Sequence, residues 1–452
     1  MTENKDNQLL QGGVTKSLVS FTIPILFALL LQVMYGAIDM FIVGNFAQIS
    51  DVSGVSTGSQ IIHTLTTLCI GLAMGTTILI GQKIGEKKDS EVGSIISNSI
   101  MLFISIAVVI MVLMLIFIEN IVTLMNTPSE AIIQTTNYIR YSAMGVPMIF
   151  AYNILGSIFR GLGDSKTPLM AVAIACVANV IGDLILVAYC GMGAAGAAIA
   201  TVMAQSISVV ISLYIIRKKA LFKYQFDNNI FKINKGYIKR IIILGTPIAL
   251  QSVLTSLSFL FVLLLVNKFG VIFSAAVGVT EKLICLIMII PIGFMHSISV
   301  FVAQNYGARN FTRSKRGMCV GITISLIYGL FSFYLSIFHG DILIGMFTND
   351  IQIIETARGY LNAYAIDTIM VAFLFCLTGY LNGCGETFYV MIQGIVGAVF
   401  IRLILAYLLS MVEPVSLFRI GLATPIASTV QVVMCLIFFV IIEKRRKRED
   451  FI

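Results

Sequence analysis

The sequence predicts an all-α integral membrane protein of twelve transmembrane helices, arranged as two six-helix halves that repeat in parallel. Three observations carry this expectation: a composition too apolar for a soluble core, twelve apolar runs of bilayer-spanning length, and a repeat at a nearly constant offset. Of the 452 residues, 58% are hydrophobic and 12% charged, and the mean hydropathy is +0.97, which belongs to a polytopic membrane chain. An apolar helix of about 20 residues crosses the hydrocarbon layer. Such runs lie near 17–43, 55–80, 93–118, 132–159, 168–189, 194–216, 240–266, 275–302, 318–338, 357–380, 388–411 and 421–442. The polar leader 1–16 runs into the first of them with no small-residue cleavage site, so a cleaved signal is not expected.

Charge orients these runs. With both termini cytoplasmic, the inside segments hold 24 of the 30 Lys and Arg residues, leaving Arg140, Lys268, Lys282, Arg358, Arg402 and Arg419 outside or within spans. The net charge of +8 therefore reads as topology. The run KRRKR at 444–448 and the basic stretch 217–240 read as anchors near anionic lipid headgroups, not as nucleic-acid contacts. Membrane lipid is an expected partner and nucleic acid is not. The eight cysteines stand singly and the three histidines form no ligand pattern, so neither a disulfide framework nor a thiolate or imidazole metal centre is expected.

Sliding the sequence along itself by 222 residues lays Gln82 and Gly85 on Gln304 and Gly307, Tyr138 on Tyr360, and Gly161, Gly163 and Asp164 on Gly383, Gly385 and Glu386; Pro24 meets Pro247 at 223. An offset held over that length divides the chain into an N-terminal half 1–216, a linker 217–239, a C-terminal half 240–443 and a basic tail 444–452. Six spans per half is an even number, so equivalent loops return to the same side, and parallel halves can rock about a central cavity. The loops FRGLGDSKTP (159–168) and YLNGCGET (380–387) read as tight turns in which glycine supplies positive φ. Neither is a phosphate cradle, since no GxxxxGK[ST] and no preceding strand occur. The stretch GMGAAGAAIA (191–200) reads as close helix packing in lipid.

The buried charges carry the functional signal. An aspartate at membrane depth costs about 2.5–3.5 kcal/mol to insert, so Asp39 of span 1 should face a partner, an ion or water. Pro24 lacks a backbone donor and crowds the preceding turn, so the helix bearing Asp39 can bend there. Asn179 and Asp183 lie four residues apart, on one face of span 5, and Thr201 on span 6 can return a hydroxyl to the same depth. Their carboxylate, amide and hydroxyl oxygens are ligand types that a hard cation such as Na⁺ prefers. The same two carboxylates could instead share a proton, since like charges at close range do not both ionise cheaply. Asp367 in span 10 and Glu281 in span 8 are further candidates for a cavity wall, with Lys282 snorkelling outward and Arg402 available to pair with one of the acids. Tyr35, one turn before Asp39, offers a π face to an organic cation.

These charges break the repeat. Asp39 maps onto Val262, Asp183 onto Leu405, Glu281 onto Ser59, Asp367 onto Gly145 and Arg402 onto Val180. Duplicated packing with unduplicated charge suggests halves with different jobs.

Taken in this order, the motifs resemble the multidrug and toxic compound extrusion (MATE) family of secondary transporters. The resemblance rests on the two six-helix halves, Pro24 and Asp39 of span 1, the Q-x-x-G of the 2–3 and 8–9 loops, the RGLGD turn, and Asn179 and Asp183 of span 5. It implies a Na⁺- or H⁺-coupled antiporter in a bacterial plasma (inner) membrane, exporting organic cations and amphipathic drugs by alternating access. A transporter of this kind is no enzyme, needs no cofactor beyond its coupling ion and is expected to act as a monomer. The resemblance further implies a cation site at Asp39, Asn179, Asp183 and Thr201, a helix-1 bend at Pro24, and Tyr35 and Tyr138 near the coupling or drug cavity. Thr255 and Val371 stand where one branch of the family has a glutamate and an aspartate, although Asp367 lies one turn before Val371. The competing readings are a flippase for a lipid-linked oligosaccharide precursor, which needs a wide basic cavity, a channel, and an integral-membrane enzyme, which needs clustered catalytic groups at one face.

Overall fold

A computed structural model describes residues 9–219 and 233–449. The leader 1–8, most of the linker 217–239 and the end of the tail 444–452 lie outside the described residues. Among those described, the regular structure is entirely helical. Helices satisfy their own backbone groups, which is the only way an open chain crosses lipid.

Among the described residues, eleven helices are long and apolar enough to cross a membrane, and a bent pair counted as one span makes twelve. Spans 1 to 6 are Val14–Phe46, Ile49–Gly85, Asp89–Ile116, Ser129–Gly161, Lys166–Tyr189 and Gly193–Ile216. Span 7 is Lys235–Asn267, and span 8 consists of Val271–Ile287 and Ile289–Gly307, which meet at 41°. Spans 9 to 12 are Phe311–Phe338, Ile351–Cys384, Thr387–Ser410 and Leu417–Arg448. The bend in span 8 has a cause in the sequence. Pro291 has no N–H for the carbonyl of Ile287, and the Tyr328 hydroxyl donates to that carbonyl at 3.2 Å instead. A proline break is repaired by a neighbouring helix.

The chain divides into two compact units, one of Ile23–Ala249 and the other of the described residues up to Thr22 together with those from Leu250 on. Each unit thus keeps the opening turns of a span that continues in the other. In the first unit, Asn98 Oδ1 accepts from the Asn234 N–H at 2.8 Å and Glu91 from the Tyr237 hydroxyl at 3.2 Å. Gly71 and Gly75 of span 2 bring that helix against Ala249 and Gly245 of span 7, so closely that a Cβ on Gly71 would stand 2.4 Å from the Ala249 Cα. In the second unit, Arg313 donates to the carbonyls of Leu9, Gln11 and Gly12 at 3.2, 2.8 and 2.6 Å, and Asn305 adds a bond to Leu9 at 3.1 Å. Both divisions fall within three residues of a proline, Pro24 or Pro247, where one helical hydrogen bond is missing. Span 1 nevertheless stays helical through Pro24.

The repeat is visible in the backbone. Gly163 and Gly385 take φ of +85° and +86° and close spans 4 and 10 with the same pair of bonds. Gly163 and Asp164 donate to Arg160 and Phe159, and Gly385 and Glu386 to Asn382 and Leu381, the left-handed helix stop that glycine makes without a Cβ clash. The two loops are tight turns. Asp164 then accepts from the N–H groups of Lys166 and Thr167, both at 3.0 Å, and so caps the next span.

The stretch GQKIGEKK ends span 2 in an ion-pair cluster. Lys83 Nζ stands 2.9 Å from Glu86 and 3.0 Å from Glu91, and Lys88 stands 3.0 Å from Glu86. Partial burial opposes ionisation of Glu86, but hydrogen bonds and charge from Lys83 and Lys88 outweigh it and hold the carboxyl below its ordinary value.

Candidate functional site

The first unit gathers Asp39, Asn179 and Asp183, all buried, and the half-buried Thr201 into one cluster. Asp183 is 0%, Asn179 1% and Asp39 8% exposed. Small residues permit the approach: a Cβ on Gly182 would stand 3.0 Å from the Ala200 Cβ, and with spans 5 and 6 that close, Asn179 Nδ2 donates to Thr201 Oγ1 at 3.3 Å. Asp51 fixes the start of span 6 by accepting from the Ala194 N–H at 2.8 Å. Immediately after Asp183 the helix widens into a π turn over Leu184–Tyr189, an irregularity that re-aims side chains and recurs at functional positions.

The electrostatic character of the cluster follows from its unpaired atoms. Asp39 and Asp183 lie within hydrogen-bond reach of each other, yet Asp39 Oδ1, Asn179 Oδ1 and both oxygens of Asp183 have no hydrogen-bond donor among the described residues. Ionised carboxylates only accept. Two of them can therefore bond to each other only by sharing a proton, and otherwise need a cation. The donor set of carboxylate, amide and hydroxyl oxygens suits a hard cation as well as a proton.

Aromatic and amide groups surround the acids. Tyr138, buried against Gly58, sits in the electrostatic reach of Asp39, Tyr35 and Asp183, and Tyr35 in that of Asp39. The Gln205 side chain lies within hydrogen-bond reach of the Tyr35 hydroxyl, and Gln32 Nε2 donates to the Tyr152 hydroxyl at 3.1 Å. Gln32, Gln205 and Tyr152 were not among the sequence candidates. Their signal was helical spacing, since Gln32, Tyr35 and Asp39 follow one face of span 1 and Gln205 lies one turn beyond Thr201.

Asp367 and Glu281 belong to the other unit and do not join this cluster. Asp367 is buried at 3% exposure and Glu281 half-buried, while Lys282 is exposed beside it. Arg402 pairs with neither acid: its guanidinium lies over the Phe259 ring, 4.2 Å from the centroid.

These features define a polytopic helical membrane protein, internally duplicated, in which one unit brings two buried aspartates, Asp39 and Asp183, together. The profile of the MatE family matches residues 24–185 and again 247–408. The chain is 30% identical over 326 residues, 70% of each chain, to a probable multidrug resistance protein, YoeA, of Bacillus subtilis (strain 168). It is 23% identical over 400 residues to the multidrug export protein MepA of Staphylococcus aureus (strain MRSA252), covering 87% of this chain and 88% of that one. Among solved structures, a MATE transporter in a bent conformation superposes with a TM-score of 0.93 at 20% identity, covering 99% of this chain and 100% of that one. An outward-facing multidrug resistance MATE transporter of the MOP superfamily gives 0.92 at the same identity and coverage. The chain belongs to the MatE family, the multidrug and toxic compound extrusion transporters. It is a multi-pass membrane transporter and not an enzyme.

The two matched stretches stand 223 residues apart at both ends. The loops repeat at 222, one residue less. At 223, Arg402 falls on Asn179 and Ala406 on Asp183, one position from the Val180 and Leu405 pairings that the loop offset suggests.

Proposed function

We propose that this chain is a multidrug exporter that expels organic cations and other amphipathic compounds in exchange for Na⁺ or H⁺, with Asp39, Asn179, Asp183 and Thr201 as the coupling site. The carrying observation is the set of four buried acceptor oxygens that no donor satisfies. Such a set is stable only with positive charge bound to it. Relatives named for multidrug resistance and multidrug export support the substrate class. Coupling is reciprocal linkage: an ion that favours one state of this unit weakens the state that holds the substrate, by the same factor in each direction. Span 1 transmits the change, because it carries Asp39 and passes Pro24 where its helix leaves one unit for the other. Tyr35 and Tyr138 present aromatic faces to the substrate, and Asp367 and Glu281 line the substrate path in the second half.

Both termini face the cytoplasm of a bacterial cell, the halves 1–216 and 240–443 move as the alternating elements of a monomer, and the basic linker and tail contact anionic lipid. A lipid-linked oligosaccharide flippase is not favoured, since the buried acids of the first unit repel a pyrophosphate. Dye efflux from proteoliposomes with Na⁺ and pH gradients imposed separately tests the reading. One gradient should accelerate efflux, and indifference to both would remove ion coupling.

A further inference from the structure

The second half has a buried polar cluster of its own, and it is centred on a positive charge. Arg402 lies in the π-helical stretch Val396–Leu403 of span 11 and is 6% exposed. Its Nε and Nη1 have no hydrogen-bond partner among the described residues, and neither do Asp367 Oδ1 and Glu281 Oε1 nearby. Asp367 lies in the field of Arg402. The Tyr360 and Tyr364 hydroxyls, 3.5 Å apart, lie in the fields of both Arg402 and Glu281. Thr424 donates to the Tyr364 hydroxyl at 3.2 Å. Unmatched donors and unmatched acceptors thus face one neighbourhood without being joined.

The repeat gives this arrangement its meaning. At the 223-residue separation of the two family matches, Val262 stands for Asp39, Ala406 for Asp183 and Arg402 for Asn179, and the same separation carried past the matched stretches lays Thr424 on Thr201. One half places two acids at these positions and is left with orphaned acceptors. The other places none there, and at the position of Asn179 it has the orphaned N–H groups of Arg402. A guanidinium keeps its charge at every accessible pH and cannot leave its helix.

We propose that Arg402 is a built-in cation, taking in the C-terminal half the place that a mobile coupling ion takes in the N-terminal half. Its guanidinium exchanges between the Phe259 ring, which holds a desolvated cation by its π face, and the Asp367 carboxylate. The second half therefore consumes no free ion. This rests on the coupling-site reading of the first half and extends it: each turnover uses the ion bound at Asp39 and Asp183 and no other.

The test is the order of dye efflux in the driving ion, measured in proteoliposomes with protein checked by gel filtration and melting temperature. The wild-type chain should show first-order dependence. Arg402→Met leaves Asp367 without its tethered partner, so a second free ion enters and the dependence becomes second-order. Arg402→Lys, which keeps the charge, should stay first-order, and Arg402→Met/Asp367→Asn should return to first-order with folding intact. First-order dependence in a folded Arg402→Met, a second-order dependence in Arg402→Lys, or a double variant that stays second-order would each overturn the proposal, the last because the second ion would then not be bound at Asp367. Asp39→Asn separates the two readings. If ion dependence survives Asp39→Asn, the coupling site of the first half is misplaced. If it is lost there while Arg402→Met remains first-order, only the Arg402 proposal fails.

Discussion

Asn179 and Thr201 are joined by a 3.3 Å hydrogen bond between spans 5 and 6 in which the amide spends its donor end on the hydroxyl, leaving Asn179 Oδ1 among the unpaired oxygens of the cluster. In the proposed coupling site, the bond therefore sets which end of the amide is left to face a cation. Thr201→Val keeps the volume and removes the hydroxyl, so Asn179 is free to rotate. The expected result is a rise of roughly three- to tenfold in the driving-ion concentration for half-maximal efflux, matching about 1 kcal/mol for one hydrogen bond. Thr201→Ser should stay near wild type. An unchanged ion requirement in Thr201→Val would remove Thr201 from the site.

Gly163 and Gly385 share a left-handed conformation, at φ of +85° and +86°. A side chain there costs roughly 1–3 kcal/mol. Gly163→Ala and Gly385→Ala should each lower the melting temperature in detergent by similar amounts, with Asn substitutions milder because Asn tolerates this region. A large effect in one half only would contradict the common turn.

Tyr328 replaces the hydrogen bond that Pro291 denies to the Ile287 carbonyl. Tyr328→Phe should destabilise the protein by about 1 kcal/mol. Pro291→Ala restores a backbone donor at that carbonyl, so in its background the penalty should shrink, a non-additive double-mutant cycle. Strict additivity would mean that the hydroxyl is not the repair.

Glu86 ionises more readily folded than unfolded, because Lys83 and Lys88 face it. A depressed folded value contributes stability above the unfolded value, near 4.5, and loses it as pH falls through the folded one. The melting temperature of the wild type should exceed that of Glu86→Gln at neutral pH, and the gap should close below about pH 4. A gap that persists in acid would show that charge is not its origin.

The spans were legible because lipid demands long apolar helices, and each of the twelve expected runs lies within or close to a span. The bend of span 8 is not legible in the sequence, because a proline such as Pro291 announces a missing bond and not which neighbour supplies its replacement. The exchange of opening turns was also hidden. It depends on Arg313, Asn98 and Glu91 reaching chain segments far away in sequence, and periodicity records only local faces. In the cluster, Asp39, Asn179 and Asp183 stood out because charge and amide are costly in lipid. Arg402 stood out equally, but an ion pair was the expectation, and only the packing reveals Phe259 beneath it.

Asp39 and Asp183 are proposed to hold the coupling ion. The direct measurement compares gradient-driven dye efflux with substrate counterflow at equal ion concentration on both sides, in Asp39→Asn and Asp183→Asn proteoliposomes. The predicted result is loss of gradient acceleration in both variants, by about tenfold or more, with counterflow retained in at least one. Full gradient-driven transport in both variants would contradict it.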